Sequence, residues 1–187
     1  MLANSKWMND DLWLYIIIIA SVLAFLIAFF AILNVVVSKK KNHKMYNDIM
    51  DIFKEISSKN ENITYEKIIH TKNDNIPYDF TLFTENYNYY VKVIPNYQNY
   101  EITINNSIKW QLRRSNTDES LNFVNGVEKF MRMELDNKEK KPNKKLYIIY
   151  PSSKLVLKYV NECEMEFVNP KTDIYGTNVI TYTELKE

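Results

Sequence analysis

The feature that most constrains this chain is an uncharged stretch near its beginning. Leu12 to Leu33 is a run of 22 residues without an acidic or basic side chain, and 15 of them are Leu, Ile, Val or Phe. As an α-helix the stretch is about 33 Å long, enough to cross the hydrocarbon core of a bilayer. We therefore predict a single transmembrane helix over residues 12–37, preceded by a short tail of residues 1–11.

Two other interpretations of this stretch fit less well. A cleavable signal peptide has a basic start, a shorter apolar run and a small-x-small cleavage site. Here Lys6 is accompanied by two aspartates, and residues 34–37 (Asn-Val-Val-Val) offer no such site. A core helix that is apolar on all sides occurs inside proteins larger than 187 residues.

Basic residues follow the apolar stretch and are scarce before it. The juxtamembrane segment 38–44 contains four lysines: Lys39, Lys40, Lys41 and Lys44. Since only Lys6 precedes the stretch, the positive-inside rule predicts an N-terminus outside the cell membrane and a cytoplasmic C-terminal domain. The lysines also suit contact with anionic lipid headgroups, worth about 1 kcal/mol each. Trp7 and Trp13 occupy the positions of an aromatic belt at the outer interface.

Composition limits what the remaining residues, 45–187, are expected to do. These 143 residues are the usual size of one domain and carry 16 lysines and three arginines against 21 acids, a net charge of −2. This balance argues against nucleic-acid binding, which requires a clearly basic surface. One cysteine, two histidines and two glycines in the chain argue against an internal disulfide, a zinc cluster and a glycine-rich phosphate loop, so we expect no cofactor and no metal. The richness in Lys, Asn, Ile and Tyr, whose codons are AT-rich, indicates the AT-rich genome of a bacterium or a phage.

Hydrophobic periodicity predicts a mixed α+β domain with a mainly antiparallel sheet and two amphipathic helices. The first helix covers Met45–Ser58, and its stripe either packs on the domain's own core or forms a short coiled coil. The second helix covers Leu121–Leu135, and Ser152 and Ser153 are candidate caps of a further short helix through Val160.

Alternating side chains predict the strands of one sheet. Residues 78–84 and 89–95 form a hairpin whose second strand ends at Pro95. The other predicted strands lie within residues 64–71, 101–105, 108–112, 146–150, 164–168 and 174–182.

Asp79 and Lys92 lie on neighbouring strands of this hairpin, on the side opposite the main apolar residues. With the order of elements over residues 45–150, this arrangement resembles the restriction-endonuclease-like, or PD-(D/E)xK, nucleases. The resemblance implies that Asp79 helps to hold Mg²⁺ and that Lys92 lies near the attacking water.

The motif departs from that family at two positions. Tyr90 stands where the second carboxylate belongs, and a phenol is a poor ligand for Mg²⁺. Tyr78 separates Pro77 from Asp79, where the family has the two adjacent. Glu55 and Glu101 are candidates for the missing carboxylate, so a nuclease-like domain here is expected to be degenerate.

A second group of acids lies in residues 161–166, where alternation places Glu162, Glu164 and Glu166 on one strand face and directs Cys163 inward. A solvated strand face is the expected role of these carboxylates, with a cation site as the alternative. Taken together, the sequence predicts a membrane-anchored cytoplasmic module that binds a protein partner without catalysis. The alternatives are a degenerate membrane-tethered nuclease-like domain and an envelope protein whose domain lies outside.

Overall fold

The computed structural model describes residues 3–70, 75–96, 100–114, 120–136, 141–153, 155–161 and 164–187; for residues 3–11 and 120–122 the description covers the backbone. The chain divides into two compact units, Met1–Lys44 and Met45–Glu187. The second unit begins at the residue where the sequence predicts the start of the α+β domain.

The long apolar helix predicted near the N-terminus is present. Helix α1 covers Ala3–Lys59, and its length and composition are sufficient for one membrane crossing. Within the first unit, the large apolar side chains between Leu12 and Val37 are all exposed, from 40% for Leu33 to 70% for Ile27. This part of α1 therefore presents apolar surface on every side.

The described part of the second unit contains ten strands in two five-stranded mixed sheets. The spatial order of the first sheet is β1 (Thr64–Lys67), β2 (Phe80–Phe83), β3 (Asn88–Pro95), β7 (Asn143–Tyr150) and β10 (Thr177–Thr181). The order of the second sheet is β6 (Ser120–Phe123), β5 (Trp110–Arg114), β4 (Tyr100–Ile104), β8 (Val156–Asn161) and β9 (Glu164–Phe167). Five of the eight strand pairs are antiparallel, but the prediction of one sheet is wrong, because the strands separate into two.

Two chain segments run side by side through both sheets. They pair in parallel as β3 and β7 in the first sheet and as β4 and β8 in the second. Between the sheets, the Asn96 amide donates to the Tyr150 carbonyl at 2.6 Å. Pro95 ends β3 and Pro151 directly follows β7. Because proline has no amide hydrogen to continue a ladder, these positions favour the transition from one sheet to the next.

The last turns of α1 carry the predicted amphipathic stripe. Met45, Ile49 and Phe53 are buried against the apolar face of the first sheet. The ring of Phe53 meets that of Phe80 edge to face, with centroids 5.4 Å apart. Packing on the domain's own core is therefore confirmed, and the alternative of a short coiled coil is wrong.

A second core cluster joins residues from both sheets. Trp110 of the second sheet packs against Tyr147 of the first, with ring centroids 4.5 Å apart. Phe130 covers Tyr147 edge to face at 4.9 Å. It belongs to helix α2, Val127–Met131, which buries Val127 and Phe130. Tyr147, at the centre of β7, thus links the two sheets and α2.

The second predicted amphipathic helix is wrong over most of its length. Instead of a helix over Leu121–Leu135, the chain forms β6, a turn and the five-residue helix α2. The turn ends at Gly126, whose φ of +83° is left-handed and incompatible with a continuous right-handed helix. The periodic apolar pattern therefore belongs to two elements.

Two further differences concern the end of the chain. The short helix predicted through Val160 is wrong, since β8 occupies these residues and pairs with β4. Helix α3, Tyr182–Lys186, was not predicted, although Thr181 and Glu184 form a complete capping box at its start. The predicted strands at residues 164–168 and 174–182 are confirmed as β9 and β10.

Candidate functional site

Asp79 lies immediately before β2 and is almost fully buried, with 2% of its surface exposed. Its amide donates to the Val91 carbonyl at 2.8 Å, and its carbonyl accepts from the Ile68 amide at 2.9 Å. The backbone of Asp79 is therefore held between β3 on one side and the end of β1 on the other. These bonds direct the carboxylate into the domain.

Four donors surround the Asp79 carboxylate. The Val93 amide donates to Oδ2 at 2.8 Å, and Lys92 Nζ lies 3.2 Å from the same oxygen. The Tyr46 hydroxyl donates to Oδ1 at 3.1 Å, and His70 Nε2 lies 3.2 Å from it. Burying a carboxylate is costly unless charge and hydrogen bonds compensate. Here α1, β3 and the segment after β1 each contribute a partner.

The local course of the strands explains why Asp79 is needed. Because β2 begins at Phe80, the amide of Val93 on β3 has no acceptor on the β2 backbone. The Asp79 side chain supplies one, as an aspartate does at a turn or a helix cap. Replacing this acceptor would leave a buried amide unsatisfied. The structural role of the carboxylate is therefore to extend the hydrogen bonding of β3 beyond the end of β2.

The charge of this cluster affects its tyrosine. Burial, together with the negative charge and hydrogen bond of Asp79, raises the pKa of Tyr46 above its ordinary value. The phenol therefore stays protonated and continues to donate to Asp79. Lys67 Nζ lies 5.5 Å from the centre of the Tyr46 ring. The side chains of Lys92 and His70 are 20% and 36% exposed, so water reaches both of them.

The structure brings Asp79 and Lys92 together and leaves the other candidates for the nuclease-like site elsewhere. Tyr90 is half-buried on β3, with its ring edge to face against Tyr78 at 4.9 Å. Glu55 is exposed on α1, and its ion pair with Lys59 at 2.7 Å lowers its pKa. Glu101 lies on β4 in the second sheet. Among the described residues, no three His, Cys, Asp or Glu side chains converge on a possible metal position.

Two of the three acids predicted on one strand face lie at the edge of the second sheet. Glu164 and Glu166 are on β9, where Glu166 pairs with Lys158 at 3.4 Å. Glu162 and Cys163 lie outside the described residues.

Among the residues predicted to contact the membrane, the four juxtamembrane lysines and Trp13 are exposed on α1. The side chain of Trp7 lies outside the description.

Sequence reasoning missed one buried cation, Lys145. On β7 its Nζ donates to the Met131 carbonyl at 2.6 Å and lies 5.9 Å from the centre of the Phe130 ring. Burial lowers the pKa of Lys145. The carbonyl belongs to the last turn of α2, where a cation is favourable. The sequence offered no clear signal, because Lys145 stands beside Lys144 in a basic run that predicts a solvated loop.

Comparisons of the chain with models of known protein families, with curated protein sequences and with solved structures found no match. The site geometry and the exposed apolar helix are therefore what a functional proposal has to use.

Proposed function

We propose that this chain is a single-pass membrane protein whose domain, residues 45–187, lies in the cytoplasm and binds a protein partner without catalysis. Residues 12–37 cross the bilayer and residues 1–11 lie outside. The lysines of residues 38–44 contact the headgroups of the inner leaflet.

The observation that carries this proposal is the exposure of α1. Twenty large apolar side chains between Leu12 and Val37 are each at least 40% exposed. Monomeric soluble proteins rarely expose a continuous apolar surface of this size. In hydrocarbon the same surface is favourable, by about 0.3–0.6 kcal/mol for each Leu, Ile, Val or Phe near the middle of the bilayer. A lipid environment therefore accounts for the composition of this part of α1.

The surroundings of Asp79 favour binding over metal-dependent catalysis. A Mg²⁺ ion that used this carboxylate would compete with Lys92, His70, Tyr46 and the Val93 amide. Displacing the Val93 amide would leave a buried donor unsatisfied, at a cost of about 1–3 kcal/mol. The domain's net charge of −2 further favours a protein partner over nucleic acid.

Reporter fusions after Glu187 test the topology in a bacterial host. We expect a reporter that functions only in the cytoplasm to be active and one that functions only outside to be silent, because the lysines of residues 38–44 stay inside. Replacing Lys39, Lys40, Lys41 and Lys44 with glutamine is the matched control, and it should reduce the preference. The opposite reporter pattern in the wild type would place the domain outside and favour the envelope-protein alternative.

The contact between Asp79 and Lys92 supports a second candidate, a degenerate membrane-tethered nuclease-like domain. The two side chains come from neighbouring segments of one hairpin and meet at 3.2 Å, close enough to serve one site. In the sequence motif, Tyr90 stands where the family has its second carboxylate.

Restoring that carboxylate tests the second candidate. If the nuclease-like arrangement is right, Tyr90→Glu should gain Mg²⁺ affinity in calorimetry, and adding Asp79→Ala should remove it. Glu128→Gln changes an exposed carboxylate that pairs with Arg132 and serves as the control. Absence of any metal binding by Tyr90→Glu would leave the binding module as the remaining candidate. Cleavage of DNA or RNA by the wild type, abolished by Asp79→Ala, would contradict the non-catalytic proposal.

A further inference from the structure

Strand β9 leaves one of its sides open in the described part of the second sheet, where it is the terminal strand. All four of its residues, Glu164–Phe167, are exposed. On its paired side, the Val168 amide donates to the Val156 carbonyl at 2.9 Å, and Glu166 lies opposite Lys158. Alternate residues of an antiparallel pair bond to the neighbouring strand. The backbone groups of Glu166 therefore face β8, and those of Met165 and Phe167 point to the open edge.

The two faces of β9 differ in chemistry. Met165 and Phe167 lie on one face, with 42% and 69% of their surfaces exposed. Glu164 and Glu166 lie on the other. Glu166 is paired with Lys158, whereas Glu164 accepts a hydrogen bond from the neutral Asn161 amide at 3.1 Å. A strand that pairs with this edge therefore meets apolar side chains on one face and carboxylates on the other.

A cleft of about 380 Å³ lies at the end of β9. Its lining combines apolar residues, among them Leu155, Phe167 and Val168, with polar ones that include Thr183 and Glu184. The Glu184 carboxylate accepts from the Thr181 amide and hydroxyl, which are neutral groups. The volume is within the usual size of a ligand pocket. A long side chain with an apolar stem and a cationic head fits a cleft with this mixed apolar and acidic lining.

We propose that β9 pairs with an extended segment of a partner protein in which basic and apolar residues alternate, and that one basic side chain of this segment enters the cleft. The proposal rests on the proposed function, because it names the partner class of the same binding module. In this mode of recognition, main-chain hydrogen bonds supply affinity and side-chain pockets supply specificity.

Charge decides between such a segment and a second copy of the chain. If two copies paired antiparallel through β9, a two-fold axis would place the acidic faces of the two strands side by side. Glutamates would then lie opposite glutamates, which is destabilising. A basic segment meets Glu164 and Glu166 with opposite charge. Lys158 balances one of these carboxylates, so the complementarity is carried mainly by Glu164 and by Glu184 in the cleft.

A labelled peptide tests the proposal on the full chain in detergent micelles. The probe is a fluorescein-labelled peptide of about nine residues that alternates lysine and valine, the length of a long strand. Fluorescence anisotropy should show saturable binding that micelles alone do not give. A peptide that alternates glutamate and valine should bind at least about tenfold more weakly. Equal binding of the two peptides, or no saturable binding of the lysine peptide, would overturn the proposal.

Proline at Met165 tests whether the open edge is used. Met165→Pro removes an amide hydrogen that points away from β8, so the pairing within the sheet loses no hydrogen bond. The affinity for the lysine peptide should fall about tenfold or more, and for the control Met165→Ala, which keeps the amide, by less than about threefold. Equal affinities of the two variants would exclude strand addition at β9.

Methylated peptides give the same test without altering the protein. In antiparallel pairing the valine amides of the peptide face β9, and in parallel pairing the lysine amides do. N-methylation of one set should therefore abolish binding, and methylation of the other should preserve it. Retention of binding by both peptides would refute the strand pairing. None of these failures would alter the reporter or metal results, so the edge proposal and the proposed function fail separately.

Discussion

Asp79→Ala should destabilise the second unit strongly, because buried donors and an ion pair depend on its carboxylate. The variant leaves the Val93 amide and the Tyr46 hydroxyl without this acceptor and removes the partner of Lys92. An unsatisfied buried polar group costs about 1–3 kcal/mol, and breaking a buried ion pair costs about 3–5 kcal/mol. These effects overlap, and the 20% exposed Lys92 side chain regains some hydration. We therefore expect a loss of about 3–5 kcal/mol in the free energy of unfolding.

Tryptophan fluorescence during urea unfolding provides the assay. Trp110 is fully buried in the second unit, so it reports on this unit when Trp7 and Trp13 of the full chain are replaced by phenylalanine. Measurements in detergent micelles keep the apolar part of α1 solvated. Glu55→Ala is the matched control, because that carboxylate is exposed and its ion pair is with the helical neighbour Lys59. It should leave the unfolding midpoint unchanged.

A loss below about 1 kcal/mol for Asp79→Ala would refute this reasoning, because a single typical hydrogen bond contributes that much to stability. A double-mutant cycle with Lys92→Met separates the ion pair from the hydrogen bonds. If the two single losses simply add, then Lys92 and Asp79 are not energetically coupled.

Three further predictions use the same unfolding measurement or its thermal equivalent. Residues 45–187 expressed alone should be soluble and melt in one cooperative transition, and a soluble product without a transition would mean that this unit depends on α1's apolar part or on a partner. Gly126→Ala should cost about 1–2 kcal/mol, because the φ of +83° is left-handed and an L side chain is strained there; an unchanged stability would contradict this. The free energy of unfolding should fall as the pH rises above about 10, the ordinary pKa of tyrosine. Burial raises the pKa values of Tyr46 and Tyr147 in the folded chain, so above this pH the unfolded chain loses these protons while the folded chain keeps them. Tyr147→Phe should make this fall shallower, and an equally steep fall would assign it to other groups.

Local patterns in the sequence were sufficient for several elements. The uncharged run from Leu12 predicted the apolar part of α1, and the stripe from Met45 to Ile56 predicted its buried face. Alternation predicted the β2–β3 hairpin, and the near-continuous apolar run at 146–150 predicted most of β7. Each signal lies within one element, where the period of the side chains follows directly from helix or strand geometry.

The candidate site was only partly accessible from the sequence. Asp79 and Lys92 are 13 residues apart on one hairpin, so their contact follows from a local pairing. Tyr46 approaches from α1, 33 residues earlier in the chain, and no periodicity indicates that its hydroxyl meets Asp79. The Val93 amide joins the site because β2 begins at Phe80, a boundary that pattern analysis places only approximately.

The sequence alone determined where apolar surface and several of the regular elements occur, because these depend on neighbouring residues. Tertiary structure decided how the strands divide, because β3 and β7 pair across the intervening residues 96–142 and continue as β4 and β8 in a second sheet. Tertiary structure also decided the conformation of residues 121–135. There the pairing of β6 with β5 and the left-handed Gly126 replace the continuous helix that the apolar pattern predicts. Such outcomes depend on which distant surfaces bury one another, and local propensities are too weak to prevail against that burial.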